Sequence, residues 1–308
     1  MMTSEKKEHI VTITNLIQRD NIMQEDEMLK KKLLEAFKFT ADFLNNNNLT
    51  WWACGGTMLG AVRHHNIIPW DDDIDIMMPR EDYNKLIQIK EKLKDTGYVL
   101  LTPNDEGYYL GSAKMCNWNT TIVEARSYRK AVGVYVDIFP HDRFNYDINE
   151  YKKRGKKYRK RLFAYTMAMT QFSFKEAIES IKDKHFGVLL YGLVSLLYPI
   201  KLQKFYRKRF LEVEQFFNEG SGEYMASPTG AYGTREFFKS KWFNETIEMP
   251  FSDFVVKVPS NYHEYLTVMY GDYMTLPPLE KRNSHHGMYY VNLERHYEWE
   301  ELRAKGIL

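Results

Sequence analysis

The sequence predicts an α+β fold with an added helical subdomain, and three observations carry this prediction. Strand-like runs of apolar residues recur between residues 49 and 139. Helical spacing of apolar residues precedes and interrupts these runs, at residues 25–45 and 79–94. Beyond residue 146 the chain becomes basic and then apolar over a helix-length stretch. We therefore expect a mixed sheet flanked by helices, with an inserted or appended helical unit.

The individual elements follow from local signals. The first helix should end where Asn45 to Asn48 break the apolar pattern, and the helix at 79–94 begins with a proline followed by acidic residues. Between them we predict a strand at 49–54 and a short helix at 58–65. Further strands are predicted at residues 98–101, 108–115, 120–125 and 131–139. Towards the C-terminus we predict a loop at 220–233 and a helix at 262–269 that ends near Gly271.

Composition sets limits on the class of protein. The chain has 308 residues, of which 44% are hydrophobic, so it can bury a substantial core. Its net charge of +2 gives no overall attraction to nucleic acid, which we do not expect as a partner. Two cysteines, Cys54 and Cys116, cannot form a disulfide framework and lack metal-ligand spacing. With no secretory signal pattern at the N-terminus, these features favour a cytoplasmic protein.

The stretch Gly55-Gly56-Thr57 stands directly after the first predicted strand. Glycine lets the backbone approach a ligand closely and turn at positive φ. We interpret the stretch as a phosphate-binding turn. The alternative is a surface hairpin followed by an acidic loop.

Carboxylates in two separate segments are the main catalytic candidates. In the run 71–77, DDDIDIM, acidic and apolar residues alternate, which predicts a strand with Asp73 and Asp75 on one face. Asp137 stands alone in the apolar run VYVDIFP, and burying a carboxylate is costly unless it is paired or bound to metal. We predict that Asp73, Asp75 and Asp137 bind Mg²⁺ or Mn²⁺. A structural salt bridge is the alternative for Asp137, and Asp71 and Asp72 are candidates for a general base or a supporting role.

The segment from Gly55 to Tyr83 resembles the signature of the LicD family, phosphocholine transferases with fukutin-type relatives. The resemblance rests on GGTMLGAVR and on IPWDDDID, and it returns at YGDYM and LPP near the C-terminus. It implies a nucleotidyltransferase-like core whose pattern is a Gly-Gly turn, Asp-x-Asp on the next strand and a third carboxylate on a later strand. On this basis we divide the chain into a catalytic core at 1–145, a basic and apolar helical subdomain at 146–220, and a segment at 221–308 that returns to the active site.

The resemblance also implies an activity. The donor would be a CDP-activated alcohol, most often CDP-choline, and a hydroxyl of a cell-surface glycan or lipid-linked glycan would accept the phosphocholine as CMP leaves. Teichoic acid and lipopolysaccharide precursors are acceptors of this kind. A nucleotidyltransferase that moves a nucleotide, and a non-catalytic membrane-associated binding module, are the alternatives.

Residues expected to contact the substrates come from the turn, from basic side chains and from tryptophan. They are Gly55, Gly56, Thr57, Arg63, Trp70, Arg80, Lys114, Arg282 and His286. The alternative for Arg80 is a charge at the start of a helix, without substrate contact. The alternative for Lys114 is a lysine that faces solvent. Choline's quaternary ammonium would favour an aromatic cage, for which the candidates are Trp51, Trp52, Trp70 and Trp118, each with a role in the core as its alternative.

The basic and apolar middle region has two interpretations. Residues 186–200, FGVLLYGLVSLLYPI, are fewer than the roughly 20 that span a bilayer. They form either a buried helix of the subdomain or a helix that lies at an anionic membrane surface, with the basic run at 152–161 and the lysines after residue 200 around it. The second interpretation would place the protein at the inner face of the plasma membrane.

Overall fold

The computed structural model describes residues 4–125, 129–170, 178, 186–214, 217–230, 232–282 and 288–308. These residues form an α+β fold, as predicted. The strands are β1 (Trp52–Ala53), β2 (Asp75–Pro79), β3 (Tyr98–Leu101), β4 (Ala113–Val123), β5 (Val132–Phe144), β6 (Tyr224–Ala226), β7 (Phe237–Lys239), β8 (Thr246–Phe251), β9 (Phe254–Pro259) and β10 (Tyr290–Asn292). The α-helices are α1 (Ser4–Asn46), α2 (Gly55–Arg63), α3 (Arg80–Gln88), α4 (Ile148–Met169), α5 (Phe186–Ser195), α6 (Gln203–Glu214), α7 (Tyr262–Tyr270) and α8 (Trp299–Ala304).

A mixed sheet is the centre of the fold, with strand order β1-β2-β5-β4-β10. The long strand β5 pairs in parallel with β2 and antiparallel with β4. Strands β6 and β7 extend the sheet beyond the C-terminal part of β5, so the chain after residue 220 contributes to the same sheet. The strands β8 and β9 form a separate hairpin.

Helix α1 covers the sheet through the apolar stripe that the sequence predicted. Leu33, Phe37 and Leu44 are buried and belong to the same core cluster as Ile76 of β2 and Val136 of β5. The helix ends within the asparagine run, where Asn48 adopts φ +54°. The predicted end of this helix is therefore confirmed.

Several predicted boundaries are wrong. The predicted strand at 49–54 contains only two paired residues, and α2 begins at Gly55 rather than at Met58. The runs at 108–115 and 120–125 are largely one strand, β4, because a shift in register between Asn117 and Ile122 lets the ladder continue through polar residues that resemble a turn. Strand β5 extends past Pro140 to Phe144.

Between residues 146 and 214, the described residues include the helices α4, α5 and α6. Asp147 caps α4 by accepting hydrogen bonds from the amides of residues 149 and 150. Helix α4 packs on α6 through aromatic rings, with Tyr158 and Tyr165 against Phe210. One of the two interpretations of residues 186–200 required a buried helix. This interpretation is wrong for α5, because Leu190 and Leu193 are exposed. None of the helices in the described ranges is long and apolar enough to span a membrane.

Candidate active site

Parallel pairing of β2 and β5 places two acidic residues side by side. Asp75 is the first residue of β2, and it lies in register with Asp137 in the middle of β5. The Asp137 amide donates a hydrogen bond of 2.8 Å to the carbonyl of Ile74, which fixes this register. Because register partners on neighbouring strands point to the same face, both carboxyl groups project from the same side of the sheet.

The acidic run extends this cluster on its N-terminal side. Residues 71–74 have no strand pairing and lead into β2, but burial still alternates, with Asp71, Asp73 and Asp75 half-buried and Asp72 and Ile74 buried. Carboxylate oxygens of residues 71, 72 and 73 lie within 4.8 Å of one another, close enough to share a metal ion. Among the described residues, the predicted trio of Asp73, Asp75 and Asp137 does not form such a group.

Electrostatic repulsion makes the cluster suited to a cation. Burial raises the pKa of Asp75 well above its usual range, and the neighbouring charges of Asp73, Asp137 and Asp71 raise it further. Asp137 Oδ1 is buried and accepts no hydrogen bond from the described residues. A divalent ion would neutralise these carboxylates and give the orphaned oxygen a partner, so the donor set fits Mg²⁺ or Mn²⁺.

Lys114 supplies the only buried ammonium that contacts this cluster in the described part of the chain. Its Nζ lies 3.0 Å from Asp137 Oδ2 and 3.3 Å from Glu124 Oε1, and 3.3 Å from the centre of the Tyr135 ring. The side chain is buried, so it is not a solvent-facing lysine. Asp137 therefore has a structural ion pair through one oxygen, while the other oxygen stays unsatisfied.

The glycine turn is the first turn of α2 and lies against the carboxylates. A Cβ at Gly56 would lie 2.5 Å from Asp71 Oδ2, and a Cβ at Gly55 would lie 3.3 Å from Asp75 Oδ2. Gly55 also adopts φ +53°, which favours glycine. Thr57 Oγ1 accepts a hydrogen bond of 2.8 Å from the Asp75 amide, which joins the turn to β2. Only glycines let the helix N-terminus approach the acidic residues this closely.

We expect Gly56→Ala to disturb the site while leaving the fold intact. The new methyl group would displace the end of the Asp71 side chain, which is flexible enough to move. Because a misplacement of about 1 Å in a catalytic site can cost about a hundredfold in rate, turnover should fall by about that factor. Steady-state assays and melting curves would check this. Gly155→Ala in α4 is a matched control, since its Cβ meets only the end of the Arg159 side chain. Equal loss of activity in both variants would contradict the prediction.

Trp70 lies between two arginines at the start of the acidic run. The guanidinium carbons of Arg63 and Arg282 lie 6.0 Å and 5.2 Å from the centre of its ring. Both arginines donate to backbone carbonyls, those of Tyr273 and Pro277, and neither forms an ion pair with a described acidic residue. Burial and the charge of Arg282 lower the pKa of Arg63, so an anion here would relieve repulsion. The cluster suits a phosphate group better than a quaternary ammonium.

Other predicted ligand contacts lie elsewhere. The guanidinium of Arg80 is completely buried and forms ion pairs with Asp142 at 2.6 Å and Glu214 at 2.9 Å, so it is a structural group. Trp51 and Trp52 are core residues. Trp118 stacks on His296, with ring centres 3.8 Å apart, at the side of the sheet where β10 lies. His286 lies outside the described residues.

Several residues next to the cluster were not predicted from the sequence. The Tyr265 hydroxyl accepts a hydrogen bond of 3.0 Å from the Gly55 amide, and the Tyr270 hydroxyl would lie 3.8 Å from a Cβ at Gly55. Tyr232 packs edge-on against Tyr270, with ring centres 6.2 Å apart. These tyrosines come from the segment at 221–308, in which no tyrosine was predicted as a site residue. Their spacing carries no signal that would separate a site tyrosine from a core tyrosine.

A small cavity of about 40 Å³ lies beside Asp75. His141 and Glu236 line it, and burial lowers the pKa of His141 to about 4 and raises the pKa of Glu236 to about 7. Cys54 also lines it, but burial and the charge of Asp75 raise the pKa of its thiol, so it is not an activated nucleophile. Glu236 directly follows Thr234 and Arg235, and this local sequence carries no signal for a site residue.

Glu236 gives a prediction about pH. Its raised pKa means that the folded protein binds this proton more tightly than the unfolded chain, so stability falls as pH rises from about 4.5 to about 7. The total loss of folding free energy over this pH range is about 3 kcal/mol at most. Glu236→Gln should keep the hydrogen bond from the Tyr232 amide and should lose the slope. Melting temperatures between pH 5 and pH 8 would show this, and an unchanged pH dependence in the variant would contradict it.

Comparisons with known proteins place this site in a family. Residues 48–189 match the family described as LicD/FKTN/FKRP, nucleotidyltransferase domain. The chain is 29% identical over 236 residues to the lipopolysaccharide cholinephosphotransferase LicD of Haemophilus influenzae, which covers 75% of this chain and 84% of that protein. It is 35% identical over 60 residues to the ribitol 5-phosphate transferase FKRP of mouse and human, which covers 20% of this chain and 12% of each relative. The glycine turn and the acidic cluster lie within the matched region, and residues 48–189 of this chain are a nucleotidyltransferase domain of the LicD family.

Proposed function

We propose that this protein transfers a phospho-alcohol from a CDP-activated donor to a hydroxyl of a glycan, with release of CMP and with Mg²⁺ or Mn²⁺ as cofactor. One observation carries the proposal. Five carboxylates, Asp71, Asp72, Asp73, Asp75 and Asp137, lie together beside a helix N-terminus whose glycines let it approach them closely. Such an arrangement is suited to a metal-bound diphosphate, because the cation offsets the charge of the carboxylates and of the phosphates together.

The residues have separate roles in this proposal. Asp73, Asp75 and Asp137 would hold the divalent ion, which when bound supplies positive charge to the diphosphate of the donor. The amide of Gly56, in the first turn of α2, would donate to a phosphate oxygen, whereas the Gly55 amide already donates to Tyr265. Arg63 and Arg282, held beside Trp70, would bind a second phosphate oxygen.

The transfer itself is a substitution at phosphorus. The acceptor hydroxyl oxygen forms a bond to the phosphorus that carries the alcohol, and the bond from this phosphorus to the bridging oxygen breaks. CMP takes the bridging oxygen with its electron pair. The proton of the hydroxyl passes to a carboxylate of the acidic run, for which Asp71 is better placed than Asp72, because Asp71 is the more exposed of the two.

Choline is the alcohol that we propose first. A relative that matches 75% of this chain is named as a cholinephosphotransferase. The tyrosine pair Tyr232 and Tyr270 borders the carboxylates, and tyrosine faces attract quaternary ammonium groups. The proposed acceptors are lipopolysaccharide or teichoic acid precursors. Both cysteines are free and buried, which suits the reducing cytoplasm where we place the reaction.

The test is an assay of the purified protein with Mg²⁺, a glycan acceptor and a panel of donors, namely CDP-choline, CDP-ribitol, CDP-glycerol, CTP and ATP. We expect CMP release from a CDP-alcohol, with the phospho-alcohol recovered on the acceptor, and no release with EDTA. Pyrophosphate release from CTP or ATP, with the nucleotide retained on the acceptor, would instead identify a nucleotidyltransferase. Turnover that persists in EDTA would show that the reaction does not require a divalent metal ion.

A further inference from the structure

Helix α5 and the chain that follows it expose an unusual amount of apolar surface. We call this surface the leucine patch. It consists of Leu190, Leu193, Leu196, Leu197, Ile200, Leu202 and Phe205, and each of these side chains is exposed. Leu196 and Leu197 reach exposed fractions of 63% and 75%. Phe163 of α4 is also exposed. It lies beside these residues, since the centre of its ring is 6.0 Å from the centre of the Tyr198 ring. Contiguous exposed apolar surface of this kind marks an interaction site.

The leucine side chains of α5 point away from the protein interior, whereas small and polar residues of the same helix point towards it. In α5, Gly192 and Ser195 are buried, and the Ser195 hydroxyl donates a hydrogen bond of 2.6 Å to the Gly192 carbonyl. Leu190 and Leu193, on the same helix, face outward. A helix adapted to water would turn its leucines inward and its serine outward. The reversed arrangement indicates that the outer face of α5 contacts an apolar medium.

Positive charge surrounds the patch. Residues 186–209 contain five lysines and arginines and no acidic residue. Lys201, Lys204 and Lys208 are exposed next to the patch. Helix α4, which packs on α6, contributes the basic run at 152–161, also without an acidic residue. Because the whole chain carries a net charge of only +2, this basic charge is concentrated on one part of the surface.

We propose that the leucine patch docks on an anionic phospholipid bilayer, with its leucines at the boundary of headgroups and acyl chains and its lysines on the lipid phosphates. Helix α5 has 10 residues and is too short to span hydrocarbon, so it would lie in the plane of the interface. Nucleic acid would use the lysines but not the leucines. A second copy of this chain would bring two basic surfaces together, which is unfavourable.

Vesicle flotation of the full chain tests this proposal without any need for activity. We expect the protein to float with vesicles of phosphatidylcholine and phosphatidylglycerol at low salt, and to float weakly with phosphatidylcholine alone. Leu196→Gln/Leu197→Gln should weaken the partition about tenfold, and Lys201→Gln/Lys204→Gln/Lys208→Gln about a hundredfold. The matched controls are Leu279→Gln, at a position exposed to 75%, and Lys31→Gln/Lys94→Gln/Lys239→Gln, at exposed positions outside the patch.

Failure of the unaltered protein to float, or equal flotation of the patch variants and their controls, would overturn the proposal. Dimerisation of the unaltered protein that Leu196→Gln/Leu197→Gln abolishes, without flotation, would also overturn it and would identify the patch as a protein interface. CMP release from a soluble donor is measured in a separate assay. A negative result in that assay would not contradict membrane binding, and a negative flotation result would not contradict the proposed reaction.

Discussion

Asp75→Asn is expected to abolish turnover and to raise the melting temperature of the metal-free protein. The substitution keeps the size of the side chain but removes an ionisable carboxyl group whose pKa is raised by burial and by Asp73, Asp137 and Asp71. Without that charge, the repulsion among the remaining carboxylates decreases, so the folded state gains stability. Turnover should fall about a thousandfold or more, since the proposed divalent ion, which would stabilise the charge of the transition state, loses a ligand.

The two effects together make this test specific. CMP release and melting temperature would be measured on the same preparations, in EDTA for the melting curves. Asp253→Asn, at an exposed position in the hairpin of β8 and β9, is the control and should change neither quantity. A variant that loses both activity and stability would show that Asp75 is a structural residue, and one that keeps its activity would remove Asp75 from the catalytic cluster.

Arg80→Met is expected to destabilise the protein strongly without a specific effect on substrate binding. The buried guanidinium neutralises Asp142 and Glu214, and its removal leaves two buried carboxyl groups without their partner. Breaking a buried ion pair in this way costs about 3–5 kcal/mol. The melting temperature should therefore fall by roughly 5–8 °C. Arg303→Met, at an exposed position in α8, is the matched control.

This variant also separates two interpretations of Arg80. The sequence suggested a contact with ligand phosphate, whereas the structure encloses the guanidinium in protein. If Arg80→Met keeps its melting temperature and raises the KM for the donor, then the arginine contacts the ligand. If stability falls while the surviving activity shows an unchanged KM, then the structural role holds.

The sequence was sufficient to predict the α+β class and most elements of the core. Alternation of acidic and apolar residues located β2, and a continuous apolar run located β5, because both patterns follow directly from the period of a strand. The asparagine run predicted the end of α1, and Gly271 predicted the end of α7. Strand boundaries were less reliable, as β4 shows, since pairing with neighbours carries a strand through polar residues.

The surroundings of the site could not be predicted, because they depend on contacts between distant segments. Tyr265 reaches the Gly55 amide across 210 residues of sequence, and Arg80 reaches Glu214 across 134. Exposure of the leucines in α5 is a property of packing, so composition alone left two interpretations open. The position of Lys114 opposite Asp137 likewise depends on the register of β4 and β5.

Binding of Mn²⁺ in the presence of CDP-choline tests the central claim most directly. The claim is that carboxylates from the acidic run and from β5 together hold a divalent ion at the donor diphosphate. Calorimetric titration of the unaltered protein, Asp73→Asn, Asp137→Asn and the control Asp253→Asn would measure the affinity. We predict binding that weakens about tenfold or more in each of the first two variants and not in the control. Unchanged affinity in both Asp73→Asn and Asp137→Asn would contradict the account.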